Sequence, residues 1–193
     1  MDESLLISQS EQELVGLTVV IPCYKEEEAF LTQTYATITR LGAEVLIVDD
    51  GGLMELEIPH IQYRPQMGYG YAIKEGVKKS SNSIICTMDG DGQHTVNDVI
   101  KLYRVFKMIP DCAMVIGSRW NLRESKVRRF GRKVLNFLAS FLARHYLVDL
   151  NSGIRVFRKD LSIAYQSILC DTFSFTTSLT MSMVTDGYKI AYF

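Results

Sequence analysis

Asp89 and Asp91 stand one residue apart at the end of an apolar run, Ile84-Ile85-Cys86-Thr87-Met88, with glycines at 90 and 92 and Gln93-His94 beyond them. Carboxylate oxygens suit hard divalent cations, and Mg²⁺ commonly takes one or two protein carboxylates and completes its shell with water and substrate phosphates. On an extended chain residues two apart point the same way, so both acids can reach one ion from a strand end, and the glycines leave room for a ligand. Gln93 offers a further neutral oxygen. His94 reads as a satisfied polar neighbour of this turn rather than a ligand, and His145 likewise as structural. A surface turn rich in Asp and Gly has the same composition, so the rest of the chain must decide between a site and a turn.

Three other polar clusters end apolar runs: Pro22-Cys23-Tyr24-Lys25-Glu26, Asp49-Asp50-Gly51-Gly52 and Gly117-Ser118-Arg119. The elements that carry them alternate in type. Leu17 to Pro22 reads as a buried strand, Glu26 to Leu41 as a helix stopped by Gly42, and Glu44 to Val48 as a second strand. Ile61 to Arg64 reads as a third strand, Gly70 to Lys79 as a helix and Thr95 to Met108 as another, with Asn97 and Asp98 favouring its first turn. Cys112 to Ile116 is a further strand. Nearly continuous apolar strands separated by helices predict an α/β fold, a mostly parallel central sheet covered on both faces. In open sheets of this kind ligands bind outside the carboxyl ends of the strands, which is where all four polar clusters fall.

The composition bounds the possibilities. A chain of 193 residues, 47% hydrophobic and 22% charged, builds one sizeable core. Residues 17–193 are expected to form that domain, after a polar arm over 1–16. Lys+Arg 21 against Asp+Glu 22 gives a net charge of -1, so no global basic field recruits nucleic acid. Cys23, Cys86, Cys112 and Cys170 lie far apart without metal-ligand spacing and read as reduced thiols of a cytoplasmic protein. Met1 to Glu13 carries acids and no basic or apolar stretch of a signal peptide.

Taken in order, Val19-Val20-Ile21-Pro22-Cys23-Tyr24-Lys25-Glu26, Val48-Asp49-Asp50-Gly51, Met88-Asp89-Gly90-Asp91-Gly92-Gln93-His94 and Gly117-Ser118-Arg119 resemble the successive signatures of the family 2 glycosyltransferases with the GT-A fold. The polyprenyl-phosphate, dolichol-phosphate-mannose synthase-like branch is the most similar. Asp149-Leu150-Asn151-Ser152-Gly153-Ile154-Arg155-Val156-Phe157-Arg158 extends the resemblance, which runs from about Leu17 to Phe193. It implies a Rossmann-like sandwich and an inverting, Mg²⁺- or Mn²⁺-dependent transferase. The donor would be a UDP- or GDP-linked sugar and the acceptor a polyprenyl phosphate. Pro22, Tyr24 and Glu26 match the first nucleotide-binding turn. Asp49 and Asp50 match the acids that meet the base or ribose, and Asp89 the acid shared by nucleotide and metal. Asp91 and Gln93 complete the metal motif, Arg119 matches a basic residue near the donor or acceptor phosphates, and Asp91 and Arg119 are the residues the resemblance implies to be catalytic. The sequence departs from the pattern at Lys25, where Asn is common, after Asp50, where a Ser or Thr is missing, and at Gln66, near a common Asn.

An ionised lipid phosphate needs no strong general base. A sugar-hydroxyl acceptor, as in polysaccharide synthesis, would need one, and Asp171 or Asp186 is then the candidate. The basic cluster Arg128, Arg129, Arg132 and Lys133 precedes the apolar run Val134 to Leu147, which Arg144 and His145 interrupt and which is too short to span a bilayer. Such a pairing suits a helix lying on the cytoplasmic face of a membrane with its basic residues on lipid phosphates; the same pattern also fits a core helix with a solvated basic face. In the resembled proteins a basic segment follows the strand-like run Tyr188 to Phe193, so truncation at the C-terminal end is expected. A receiver domain or an Asp-x-Asp phosphatase would place its acidic motif at the first strand, and here Asp49 and Asp89 come later. A catalytically silent nucleotide-sugar-binding version of the fold fits the same residues.

Overall fold

Leu17–Cys23 reads Leu-Thr-Val-Val-Ile-Pro-Cys and is buried at every position, the mark of a central strand covered on both faces. This strand, β1, is the axis of the computed structural model, which describes residues 12–52, 55–117, 147, 149–150 and 152–193. From β1 the chain runs through helix α1 (Glu28–Arg40) to β2 (Glu44–Asp49) and β3 (His60–Gln62), which pair in parallel on one side. It then returns through α2 (Tyr69–Lys79) to β4 (Ile84–Thr87), parallel to β1 on the other side. After α3 (Val96–Met108) come β5 (Cys112–Ile116), β6 (Arg155–Arg158), α4 (Lys159–Ala164), α5 (Phe175–Thr185) and β7 (Lys189–Tyr192). The seven strands are ordered β3-β2-β1-β4-β6-β5-β7. The strand order therefore reverses between β1 and β4, and the crevice of a doubly wound sheet opens at that switch point.

Alternation along β1 sends Val19 and Ile21 into one core with Leu31 and Ile38 of α1 and Val99 and Leu102 of α3. Val20 goes to the opposite core with Ala72, Ile73 and Val77 of α2 and Phe175, Leu179 and Met183 of α5. Helix α2 lies so close to the sheet that a Cβ on Gly76 would stand 2.4 Å from Cγ1 of Val20. The sheet is mixed, because β6 runs antiparallel to both β4 and β5. Strands expected from the apolar runs are all present.

The differences from expectation are local. Helix α1 starts at Glu28, two residues late, because Lys25 takes a left-handed φ of 61° and turns the chain. Strand β3 ends at Gln62, ahead of Pro65, which has no N–H for a ladder. In α3 the cap is a reciprocal box: the Asp98 N–H donates to Oγ1 of Thr95 and the Thr95 N–H to Oδ2 of Asp98. Cys23, Cys86 and Cys112 are buried, Cys170 is exposed, and none is in a disulfide. No helix among the described residues is long and apolar enough to cross a membrane. Arg119, the cluster Arg128, Arg129, Arg132 and Lys133, and most of the apolar run up to Leu147 lie outside the described residues.

Candidate active site

Parallel strands deliver their following loops to one edge, and beyond the ends of β1, β2 and β4 a cleft of about 960 Å³ opens there. Pro22 lines it from the end of β1, Tyr24 and Glu26 from the loop after it, Asp50 from the β2 loop, and Asp89, Asp91 and Gln93 from the β4 loop. These are loops separated by tens of residues in sequence. Gly153 lines it beside Asp89, and Phe173, just ahead of α5, and Thr176, in its first turn, complete the lining.

Asp89 is held from several sides. Tyr69, the first residue of α2, donates its hydroxyl to Oδ1 at 2.8 Å, and Nε2 of His94 lies 3.9 Å from Oδ2. Gly153 sits against the same carboxylate, so close that a Cβ there would be 1.9 Å from Oδ2. Asp91 is exposed, and one oxygen accepts the Gln93 N–H at 3.0 Å, which folds the turn on itself. Glu26 feels both acids. Its carboxyl is held above the usual range first by burial, then by the negative charge of Asp91 and of Asp89. Three carboxylates thus line the same cleft.

Asp49 and Asp50 have parted company. Asp49 is fully buried: Oδ1 accepts the Gly52 N–H at 2.8 Å and Oδ2 the Gln62 side-chain amide at 2.9 Å, fastening the β2 loop to β3. Asp50 reaches the cleft, where its two oxygens accept the Met67 and Gly68 N–H groups at 2.8 and 2.7 Å just ahead of α2. Tyr24 is half-exposed, with the Lys25 ammonium 5.1 Å from its ring centroid. Cys23 lines the cleft but is inert, since burial, then Asp49 and Glu26, push its thiol up to about 12.

The Gly153 side of the cleft rests on a residue whose type gave no hint of its role. Arg155 of β6 is completely buried and donates to the carbonyls of Leu150, Ser152 and Thr176 and to Oγ1 of Thr180, at 2.6 to 3.2 Å. Burial lowers its pKa to about 10, so it remains a cation at neutral pH. It ties the Ser152-Gly153 turn under Asp89 to the start of α5. Asp171 and Asp186 are engaged away from the acids, Asp171 with the Lys74 ammonium at 2.7 Å and Asp186 with the Tyr165 hydroxyl. Tyr69 and Phe173 escaped sequence reasoning because their partners are distant in sequence, and Arg155 because a charged residue in a short strand does not announce its burial.

The profile of the family described as Glycosyl transferase family 2 matches residues 18–165. The chain belongs to that family. An uncharacterized protein of Methanocaldococcus jannaschii is 30% identical, over 72% of this chain and 63% of that protein. The UDP-N-acetylglucosamine–dolichyl-phosphate N-acetylglucosaminyltransferase of Methanococcus voltae is 28% identical, over 73% of this chain and 68% of that one. The undecaprenyl-phosphate 4-deoxy-4-formamido-L-arabinose transferase of Pectobacterium atrosepticum is 24% identical, over 77% and 50%. The chain thus spans about half to two thirds of the length of the curated relatives it matches. Among solved structures, the glucosyl-3-phosphoglycerate synthase of Mycobacterium tuberculosis, in complex with Mn²⁺, UDP and phosphoglyceric acid, aligns with a TM-score of 0.73 at 18% identity, covering 96% of this chain and 71% of that one. At that identity the likeness shows the fold, a GT-A α/β sandwich.

Proposed function

We propose that this chain is the catalytic part of a metal-dependent inverting glycosyltransferase that moves a sugar from a nucleotide-sugar to a polyprenyl phosphate at the cytoplasmic face of a membrane. The observation that carries it is the gathering of Glu26, Asp89 and Asp91 on one cleft at the switch point of the sheet. An all-oxygen, mutually repelling donor set suits a hard dication. Among the described residues no three His, Cys, Asp or Glu side chains form a metal cage, so donor phosphates and water would complete the shell of an ion held by Asp89 and Asp91, with Gln93 beside them. When bound, Mg²⁺ or Mn²⁺ neutralises charge that develops on a departing nucleoside diphosphate.

The protein's own groups do the positioning. Tyr69 and Gly153 fix Asp89. Asp50 orders the Met67-Gly68 loop on the nucleotide side of the cleft, and Tyr24 offers a ring and Pro22 the rigid end of β1 for base or ribose. The acceptor phosphate oxygen forms the new bond to the anomeric carbon as the bond to the diphosphate breaks on the opposite face. Orientation and charge stabilisation supply the rate. The relatives that transfer sugars to dolichyl and undecaprenyl phosphates support the lipid-phosphate acceptor, and so does the commitment of Asp171 to Lys74, since a hydroxyl acceptor would call on a base there. Arg119 is assigned to the phosphates, and Arg128, Arg129, Arg132 and Lys133 to the membrane surface, from sequence. The test is radiolabelled sugar transfer from UDP- and GDP-sugars to a polyprenyl phosphate in detergent. Mn²⁺-dependent product that vanishes in Asp91→Ala supports the reading, and equal product with and without chelator overturns its metal dependence.

A further inference from the structure

Phe173 exposes 78% of its surface at the rim of the cleft, yet its ring is held in place. It stacks on Tyr69 with centroids 5.0 Å apart and planes at 21°. Tyr69 is fixed at its far end, where its hydroxyl donates to Oδ1 of Asp89 at 2.8 Å. The two rings form a continuous shelf that begins one hydrogen bond from the acidic cluster and ends at the mouth of the cleft. Its support is firm. A Cβ on Gly70 would stand 2.2 Å from the Cys170 carbonyl oxygen and one on Gly68 2.5 Å from that of Asp171, so the 170–173 segment is packed tightly on the start of α2. Lys74 reinforces the contact through its 2.7 Å pair with Asp171. Beside Phe173 the hydroxyl residues Thr172, Ser174 and Thr177 also line the cleft.

A pyranose ring presents a face of C–H bonds and a rim of hydroxyls, and this wall offers an aromatic face bordered by hydroxyls. In a nucleotide-sugar the diphosphate lies between nucleoside and sugar, so with the diphosphate at Asp89 and Asp91 and the nucleoside assigned to Tyr24 and Asp50, the aromatic surface beside Asp89 is left for the sugar. We infer that the Tyr69–Phe173 shelf is the subsite of the transferred sugar, with Phe173 packing against the ring; this rests on the nucleotide-sugar reading above. Pre-ordering by the stack means that the sugar meets an aromatic face already in position.

The test is calorimetric binding of UDP, UDP-glucose, GDP and GDP-mannose in Mn²⁺ to the unaltered chain, Phe173→Ala and Phe173→Tyr. Phe173 is exposed, so the alanine variant keeps the fold. In Phe173→Ala, nucleoside diphosphate affinity is expected to stay within about twofold, while the matching nucleotide-sugar weakens about five- to tenfold; Phe173→Tyr restores it. Equal loss of both ligands, or loss of neither, overturns the subsite and leaves the nucleotide reading standing. A defect confined to the acceptor KM, with donor affinity unchanged, also overturns it and assigns the shelf to the acceptor. Failure of the unaltered chain to bind any of the four ligands overturns the nucleotide-sugar reading, and the subsite with it.

Discussion

Gly153 stands directly against Asp89: a Cβ at this position would lie 1.9 Å from Oδ2 and 2.4 Å from Oδ1 of the carboxylate. The Thr87 hydroxyl holds the Gly153 carbonyl at 2.7 Å, and Arg155 holds the Ser152 carbonyl just before it. The turn cannot back away, so an added methyl must displace the acid. Gly153→Ala is expected to lose at least about tenfold in Mn²⁺-dependent nucleotide-sugar affinity and about 1–3 kcal/mol of stability from overpacking. Calorimetry beside circular dichroism checks both. Full Mn²⁺-dependent affinity in a folded variant would show that Asp89 has no part in binding.

Asp50 makes a different kind of contact, with both oxygens on main-chain N–H groups ahead of α2. Asp50→Asn keeps one acceptor and turns a donor against the other N–H, at a cost of about 1.5–3 kcal/mol. In the proposed function its loop meets the nucleoside and not the phosphates, so affinity for a nucleoside diphosphate should fall while that for inorganic diphosphate barely changes. Competition binding with the two ligands decides, and equal losses would move Asp50 away from the base or ribose.

Glu26 supplies a pH dependence. Its folded pKa lies above the ordinary carboxylate value, chiefly through burial and then through Asp91 and Asp89. The folded state therefore holds this proton more tightly than the unfolded chain does, and stability present below the ordinary value is lost as pH rises through the raised one. Without a divalent cation, melting temperature should fall across that window, and Glu26→Gln should remove this component of the slope. A slope identical in the unaltered chain and the variant would remove Glu26 from the crowded acids.

The basic cluster gives a prediction independent of the cleft. Arg128, Arg129, Arg132 and Lys133 near an anionic bilayer are worth about 1 kcal/mol each, enough to hold a chain of nearly neutral net charge. Sedimentation with anionic liposomes should show binding at low salt that is lost at high salt and on charge reversal of the four. No binding at low salt would defeat membrane docking and leave the cleft chemistry untouched.

The elements around the cleft were legible because they are the simplest kind. Strands β1, β2, β4 and β5 are short apolar runs between helical patterns, and in a parallel sheet their ends must meet at one edge, which brings Glu26, Asp50, Asp89 and Asp91 together. Strand β6, Arg-Val-Phe-Arg, carries a charge at each end and runs antiparallel, so no apolar pattern announced it or the burial of Arg155. The split between Asp49 and Asp50 was equally hidden, since adjacent residues diverge only once β3 and α2 supply their partners. The Thr95-Asp98 box was visible as Thr-x-x-Asp, and the Asp98 side of it was read without its threonine.

Thermal denaturation with UDP, GDP and their sugar conjugates, each with and without Mn²⁺, tests the central claim most directly, because a ligand that binds only the folded state raises the melting temperature. The expected result is a rise with one base, UDP or GDP, that needs Mn²⁺ and is abolished in Asp91→Ala, whose exposed carboxylate supports little of the core. A rise of equal size with and without Mn²⁺, or one unchanged in Asp91→Ala, would contradict the metal-dependent nucleotide-sugar site.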